Sequence, residues 1–253
     1  MLENYLEKFS RLRTDRNRNR YPTNTNHRAP HKPFLLLSII DLIAQGKIRE
    51  NFIEPSFDLV DTWNGYWNMV MPLGKQSTMA YPFEHLNSEG FWHLLPNEGY
   101  DTHRLYNASS IAALRRIYAG AKADEELFIF LGNSKSRERL KSVLIETYFA
   151  PEIRISILEQ GVVNYQSDKY SKKLLRVAER QSLFGEDFKT DNQQKVRDQG
   201  FRKAIVTLYE HRCSLCGLRM ITPEGYTVVD AAHIIPWCEN HDDRPTNGLA
   251  LCK

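Results

Sequence analysis

The sequence predicts an α+β protein of two units, and three observations carry that reading. Apolar side chains recur at helical spacing near the start, around positions 34–44 and 111–149, and again near 200. The stretch from about Phe52 to Tyr106 is dense in aromatics and turn residues, which suggests short strands and loops. A polar run over 171–195 separates a first unit, residues 1–170, from a second, residues 196–253. A chain of 253 residues suits two ordinary domains, and a 42% apolar, 11% aromatic composition supports packed cores rather than disorder.

The elements follow in order. Leu2, Tyr5, Leu6, Phe9 and Leu12 share one face, so the chain opens with an amphipathic helix. Asn17–Pro30 is polar, basic and proline-containing, and reads as a loop. Pro33 suits the first position of a buried helix over Phe34–Ala44, stopped by Gly46. Trp63, Trp67, Tyr81, Phe91 and Trp92 mark the strand-and-loop region, with Phe91–Leu95 its clearest strand. A helix over Ile111–Tyr118 takes Ser109 or Ser110 as its cap, and another over Lys135–Phe149 ends at Ala150-Pro151. The linker over 171–195 is helical in part, near Lys173–Arg180. Phe201, Ile205 and Leu208 then give one face of a helix that begins near Val196 and runs into Cys213.

Composition excludes several classes. No run approaches the about 18 uncharged apolar residues a membrane span needs, and the start is neither a signal nor a transit peptide. Four cysteines in this length do not make a disulfide scaffold, so a reducing cytoplasm is the expected home. The net charge of +3 says little, but its distribution says more. From Arg11 to Pro33 the chain carries Arg11, Arg13, Arg16, Arg18, Arg20, Arg28 and Lys32 against the single acid Asp15. A solvated basic loop is one reading, and phosphate contact is the other.

The C-terminal unit carries Cys213-x-x-Cys216-Gly217, then the apolar run Val228–Ile235 holding His233 and ending in Pro236, then Asn247-Gly248-Leu249-Ala250-Leu251-Cys252. Alone, the Cys-x-x-Cys turn could hold zinc or do redox work, and a lone strand histidine is more often a hydrogen-bonded core residue than a catalyst. Together, with the preceding Phe201-Arg202-x-x-Ile205-x-x-x-Tyr209-x-x-x-Cys213 helix, they resemble the HNH (ββα-metal) nucleases. The resemblance implies a ββα-metal domain in which His233 is the general base and Asn247 bridges the loop backbone to hold it. It implies a Mg²⁺ or Mn²⁺ cofactor for phosphodiester hydrolysis, and Cys213, Cys216 and Cys252 as three ligands of a structural Zn²⁺, with Cys238 outside the set. Many members place a metal-ligating acid or histidine directly before the base, where this chain has Ala232, so Asp230 is the remaining candidate ligand for a catalytic metal. The family's next elements would lie beyond Lys253; the domain as written is truncated, and it is expected to bind modified DNA but cut it poorly.

The N-terminal unit resembles the DNA sulfur-binding domain through His27-Arg28-Ala29-Pro30-His31-Lys32-Pro33, Tyr81-Pro82-Phe83-Glu84-His85-Leu86 and Gly90-Phe91-Trp92. Such domains recognise phosphorothioate DNA. Sulfur in place of a non-bridging oxygen keeps the charge but is larger, more polarisable and a poorer hydrogen-bond acceptor, so an apolar cup accepts it and excludes oxygen. The resemblance places Tyr81 and Pro82 in that cup with His85 at a third position, and Arg28, His31 and Lys32 as cationic donors to the other phosphate oxygens. The expected whole is a modification-dependent restriction endonuclease acting on double-stranded DNA, with a homodimer left open. The alternatives are an HNH endonuclease that recognises a modified base, or a non-cutting DNA-binding module with a zinc-stabilised HNH remnant.

Overall fold

The computed structural model describes residues 1–101, 104–179, 193–222 and 225–253. The chain divides into two compact units, the first spanning Met1–Gln160 and the second built from Gly161–Thr222 and Tyr226–Lys253. Both combine helices with a two-stranded antiparallel sheet, so the α+β class is as predicted.

In the first unit, α1 (Leu2–Ser10) precedes α2 (His31–Ala44), the central helix, which is apolar nearly all round. Every residue from Lys32 to Leu42 is buried, as a helix with apolar groups on all faces must be. Its two interior polar groups are satisfied: Ser38 Oγ donates to the Phe34 carbonyl at 2.7 Å, and Asp41 accepts from Tyr66 Oη at 2.7 Å. Around it pack α3 (Phe57–Val70), α4 (Ala80–His85), α6 (Glu125–Gly132) and α7 (Ser134–Tyr148). A strand β1 (Trp92–Pro96) pairs with β2 (Tyr118–Ala123), which follows directly from α5 (Ile111–Ile117). Ser110 caps α5, accepting from Ala113 N at 3.1 Å.

Two expectations need correction. The region read as short strands and loops contains α3, a 14-residue helix that starts at the Ser56 cap. Leu59, Val60, Trp63, Tyr66, Trp67 and Val70 recur at helical spacing and are buried, so packing overrides the strand preference of the aromatics. The stacked pair Trp63 and Trp67, 5.1 Å between centroids, is an i,i+4 contact. Second, Ala150-Pro151 ends α7 but also starts α8 (Pro151–Glu179), a single helix that runs unbroken past position 170; its last turns fall where the linker was expected to be helical. Tyr170 and Leu174 are buried in the second core, which holds the helix together there. The remainder of the linker, 180–192, lies outside the described residues.

The second unit packs α8 residues from 161 onward against α9 (Gln194–Leu208), and α9 against a hairpin of β3 (Val229–His233) and β4 (Gly248–Cys252). A short helix, α10 (Trp237–Asn240), lies in the loop between the strands. Gly200 lets α9 approach α8 closely, since a Cβ there would lie 2.8 Å from the Tyr170 ring and 2.9 Å from the Ser167 carbonyl. Among the described residues, no helix is long and apolar enough to cross a membrane.

Candidate functional site

The start of α2, the loop that precedes it, and α4 together enclose an open cleft of about 500 Å³. His31, Lys32, Tyr81, Pro82 and His85 all line it, so five residues singled out from sequence converge. Tyr81 is exposed and Pro82 buried, giving the cleft an apolar wall beside exposed His85. The opposite wall comes from the basic loop, with Arg13, Asp15, Arg20 and Tyr21. Thr14 Oγ1, in the same wall, is buried without a hydrogen-bond partner among the described residues. Arg28 is not among the lining residues; its guanidinium lies 5.8 Å from the Tyr148 ring centroid instead. Arg13 and Arg20 were visible only as members of a basic run, which does not say which of its cations face a ligand.

Position alone does not make His31 and Lys32 free cations. Lys32 forms a salt bridge to Glu89, with both side chains about nine-tenths buried, and Lys32 Nζ also reaches Ser88 Oγ at 3.3 Å. Its charge is committed inside the protein. His31 bonds Ser77 Oγ at 2.9 Å through Nε2 and packs its ring 4.7 Å from Trp67. Burial, reinforced by Lys75 and opposed by Asp15, pushes its pKa from 6.5 down to about 4. It therefore meets a ligand as a neutral imidazole. The unfolded chain takes up this proton first as the pH falls, so stability is full above about 6.5 and is lost progressively toward 4. Denaturant midpoints measured between neutral pH and pH 4 should fall accordingly, and His31→Gln should flatten that dependence; an unaltered slope in the variant would reject a buried neutral His31.

Behind the cleft, Glu84 of α4 is fully buried, where it accepts from the backbone N–H groups of Tyr106, Asn107 and Ala108 and from Tyr118 Oη. These donors fix α4, and with it Tyr81 and Pro82, to the rest of the unit. Tyr118 is raised beyond the ordinary phenol range, first by burial and then by this carboxylate.

The family model of the ScoMcrA-like DNA sulfur-binding domain matches residues 3–163, a span that contains the whole cleft. The chain belongs to that family. No curated protein matches the chain. The first unit is thus a DNA sulfur-binding domain, and DNA is its partner.

The second unit holds the other candidates. The β3–β4 register sets His233 opposite Gly248, with Asn247 at the turn into β4. Asn247 accepts from Ile235 N at 2.8 Å and donates to the carbonyls of Ile235, at 3.0 Å, and Asp242, at 2.9 Å. It thereby bridges the loop backbone just after His233. The His233 ring stacks on Phe201 at 4.0 Å, and its Nε2 bonds Asp243 at 2.7 Å. Asp243, unmarked by any motif in the sequence, is fully buried and also accepts from Tyr170 Oη at 2.8 Å and Arg197 at 3.3 Å.

Asp230 is engaged in ion pairs away from His233. Alternation along β3 puts it on the face opposite His233, and its carboxylate is bound by Arg202 and Lys253, each at 3.0 Å. Among the described residues, no donor set for a catalytic cation surrounds His233. The cysteines do converge: ligand atoms of Cys213, Cys216 and Cys252 lie within 4.8 Å of one another, with Cys216 and Cys252 sulfurs 3.8 Å apart. Gly217, at φ 71°, closes the turn in the left-handed region. Backbone N–H donors from Cys216, Cys252 and Leu215 bring the Cys213 thiol down to about 6, while the neighbouring thiols raise Cys252. Cys238, exposed in α10, lies outside the cluster.

Proposed function

We propose that the chain recognises phosphorothioate-modified double-stranded DNA through the α2–α4 cleft and serves an HNH-type endonuclease. The observation that carries recognition is the convergence of Tyr81, Pro82, His85 and His31 in one cleft inside the matched family span. The Tyr81–Pro82 wall receives the sulfur by dispersion, because it offers an oxygen no replacement for its hydration. Neutral His31 contributes a hydrogen bond, and Arg13 and Arg20 supply the charge that Lys32 does not. Binding on matched duplexes with and without a single phosphorothioate tests this. The sulfur preference should be of the order of one small apolar group in a pocket, roughly 10–200-fold. Tyr81→Ala should erase it and leave weak general binding. Arg13→Ala should instead weaken both duplexes and flatten the salt dependence by about 0.9 in log Kd against log salt. An unchanged sulfur preference in Tyr81→Ala would move the recognition site elsewhere.

The nuclease reading is supported by the hairpin. His233 sits at the end of β3, and Asn247 ties down the backbone immediately beyond it. An imidazole nitrogen there suits removal of a proton from an attacking water. Three clustered thiols suit a structural zinc, which would tie the Cys213–Gly217 turn to the end of β4. A catalytic Mg²⁺ or Mn²⁺ finds no donor set around His233 among the described residues.

A further inference from the structure

We propose that Asp243 is the positioning residue for His233: its buried carboxylate holds the imidazole as the Nε2–H tautomer and leaves Nδ1 as the nitrogen that accepts a proton. This rests on the nuclease reading of the hairpin. A carboxylate only accepts hydrogen bonds, so at 2.7 Å the His233 nitrogen facing Asp243 must carry the hydrogen. The ring then has one basic site left, and Nδ1 has no hydrogen-bond partner among the described residues. Which nitrogen of a histidine works is set by the bond the other one makes. Here that bond is made from a place of little freedom. Asp243 is fully buried and held from two helices, by Tyr170 of α8 at 2.8 Å and Arg197 of α9 at 3.3 Å. Arg197 is itself fixed, paired with Asp198 and lying 4.0 Å over the Trp237 ring. Phe201, stacked within 3° of parallel, sets the plane of the imidazole. Partial rotation about χ2 would break the stack, and a half-turn, which keeps the stack, would take Nε2 away from Asp243, so stack and bond together select one ring orientation.

Asp243 is fully buried and acts only through His233, which a spectroscopic readout can isolate. The full chain, labelled with ¹⁵N-histidine, is examined by long-range ¹H–¹⁵N spectra in alkaline buffer, with His233→Gln identifying the ring. The wild-type ring is expected almost entirely as Nε2–H. In Asp243→Asn an amide N–H can face Nε2, and the proton should move to Nδ1 in a large fraction of molecules. Whatever cutting of phosphorothioate DNA the wild-type chain shows with Mg²⁺ or Mn²⁺ added should then fall in kcat by roughly 10²–10⁴-fold, the scale on which a misoriented or wrongly protonated base acts, with Kd for that DNA unchanged. A wild-type ring found mainly as Nδ1–H overturns the proposal, and this measurement stands if Asp243→Asn does not fold. A tautomer unmoved by Asp243→Asn overturns it as well. Cutting that survives His233→Ala would instead sink the nuclease reading while the tautomer assignment stood, so the two failures are distinguishable.

Discussion

Lys32→Met should destabilise the N-terminal unit by about 3–5 kcal/mol, the usual consequence of removing one partner from a buried ion pair. The reason is the group left behind. Glu89 is as buried as Lys32, and its carboxylate also accepts from Arg13 N at 3.1 Å, so it would remain charged or protonated in a site shaped for a charged pair. A surface cation would give a different pattern: a nearly unchanged midpoint, weaker binding to every duplex, and a salt slope smaller by about one phosphate contact. The midpoint of urea unfolding therefore separates the two roles. Removing both charges in Lys32→Met with Glu89→Leu should recover much of the loss, because replacing a buried pair by apolar groups is often neutral. Independent losses that simply add in the double variant would show that the pair is not coupled and that Lys32 stabilises the unit by packing.

The Lys32 result also marks how far the sequence could be read. Residues that act from a local motif were visible: Tyr81-Pro82 and His31 reach the same cleft, and Asn247 bridges the loop it adjoins. Roles that depend on a distant partner were not. Glu89 lies 57 positions from Lys32, and nothing local says that the lysine faces inward. The neutral state of His31 comes from its burial under Trp63 and Trp67, on a helix hidden by an aromatic content that favours strands. Asp243 shared its loop with Asp242, and composition could not separate them. One is fully buried under His233, whereas the other pairs with Arg244, which holds its carboxyl below the usual range. The helix near Lys173 was legible, but its continuity with Pro151–Tyr170 was not, because polar residues dominate the composition while only Tyr170 and Leu174 need packing for the helix to persist.

Zinc should bind at one ion per chain, and its removal should loosen the Cys213–Gly217 turn and the end of β4 while leaving sulfur recognition in place. Cys213 is buried and already surrounded by N–H donors that favour its thiolate, so it needs little rearrangement to become a ligand; Cys216 and Cys252 are exposed and close enough to join it. The ion would link the turn after α9 to the last residues of β4, elements already tied by Ser214 N to the Ala250 carbonyl at 2.7 Å. Three thiolates leave one tetrahedral position for a further ligand or water, with sulfur expected about 2.3 Å from the metal. Cys216→Ser should lower zinc affinity by more than the roughly 10–100-fold typical of losing only an outer-shell partner. Affinity should also fall as the pH drops, since each thiol must lose its proton to bind. Metal content by mass spectrometry, and hydrogen exchange of β3 and β4 with and without chelator, check both statements. Equal zinc content in wild type and a Cys213→Ser, Cys216→Ser double variant would reject the site. Loss of phosphorothioate binding on chelation would show that the metal supports the cleft rather than the hairpin.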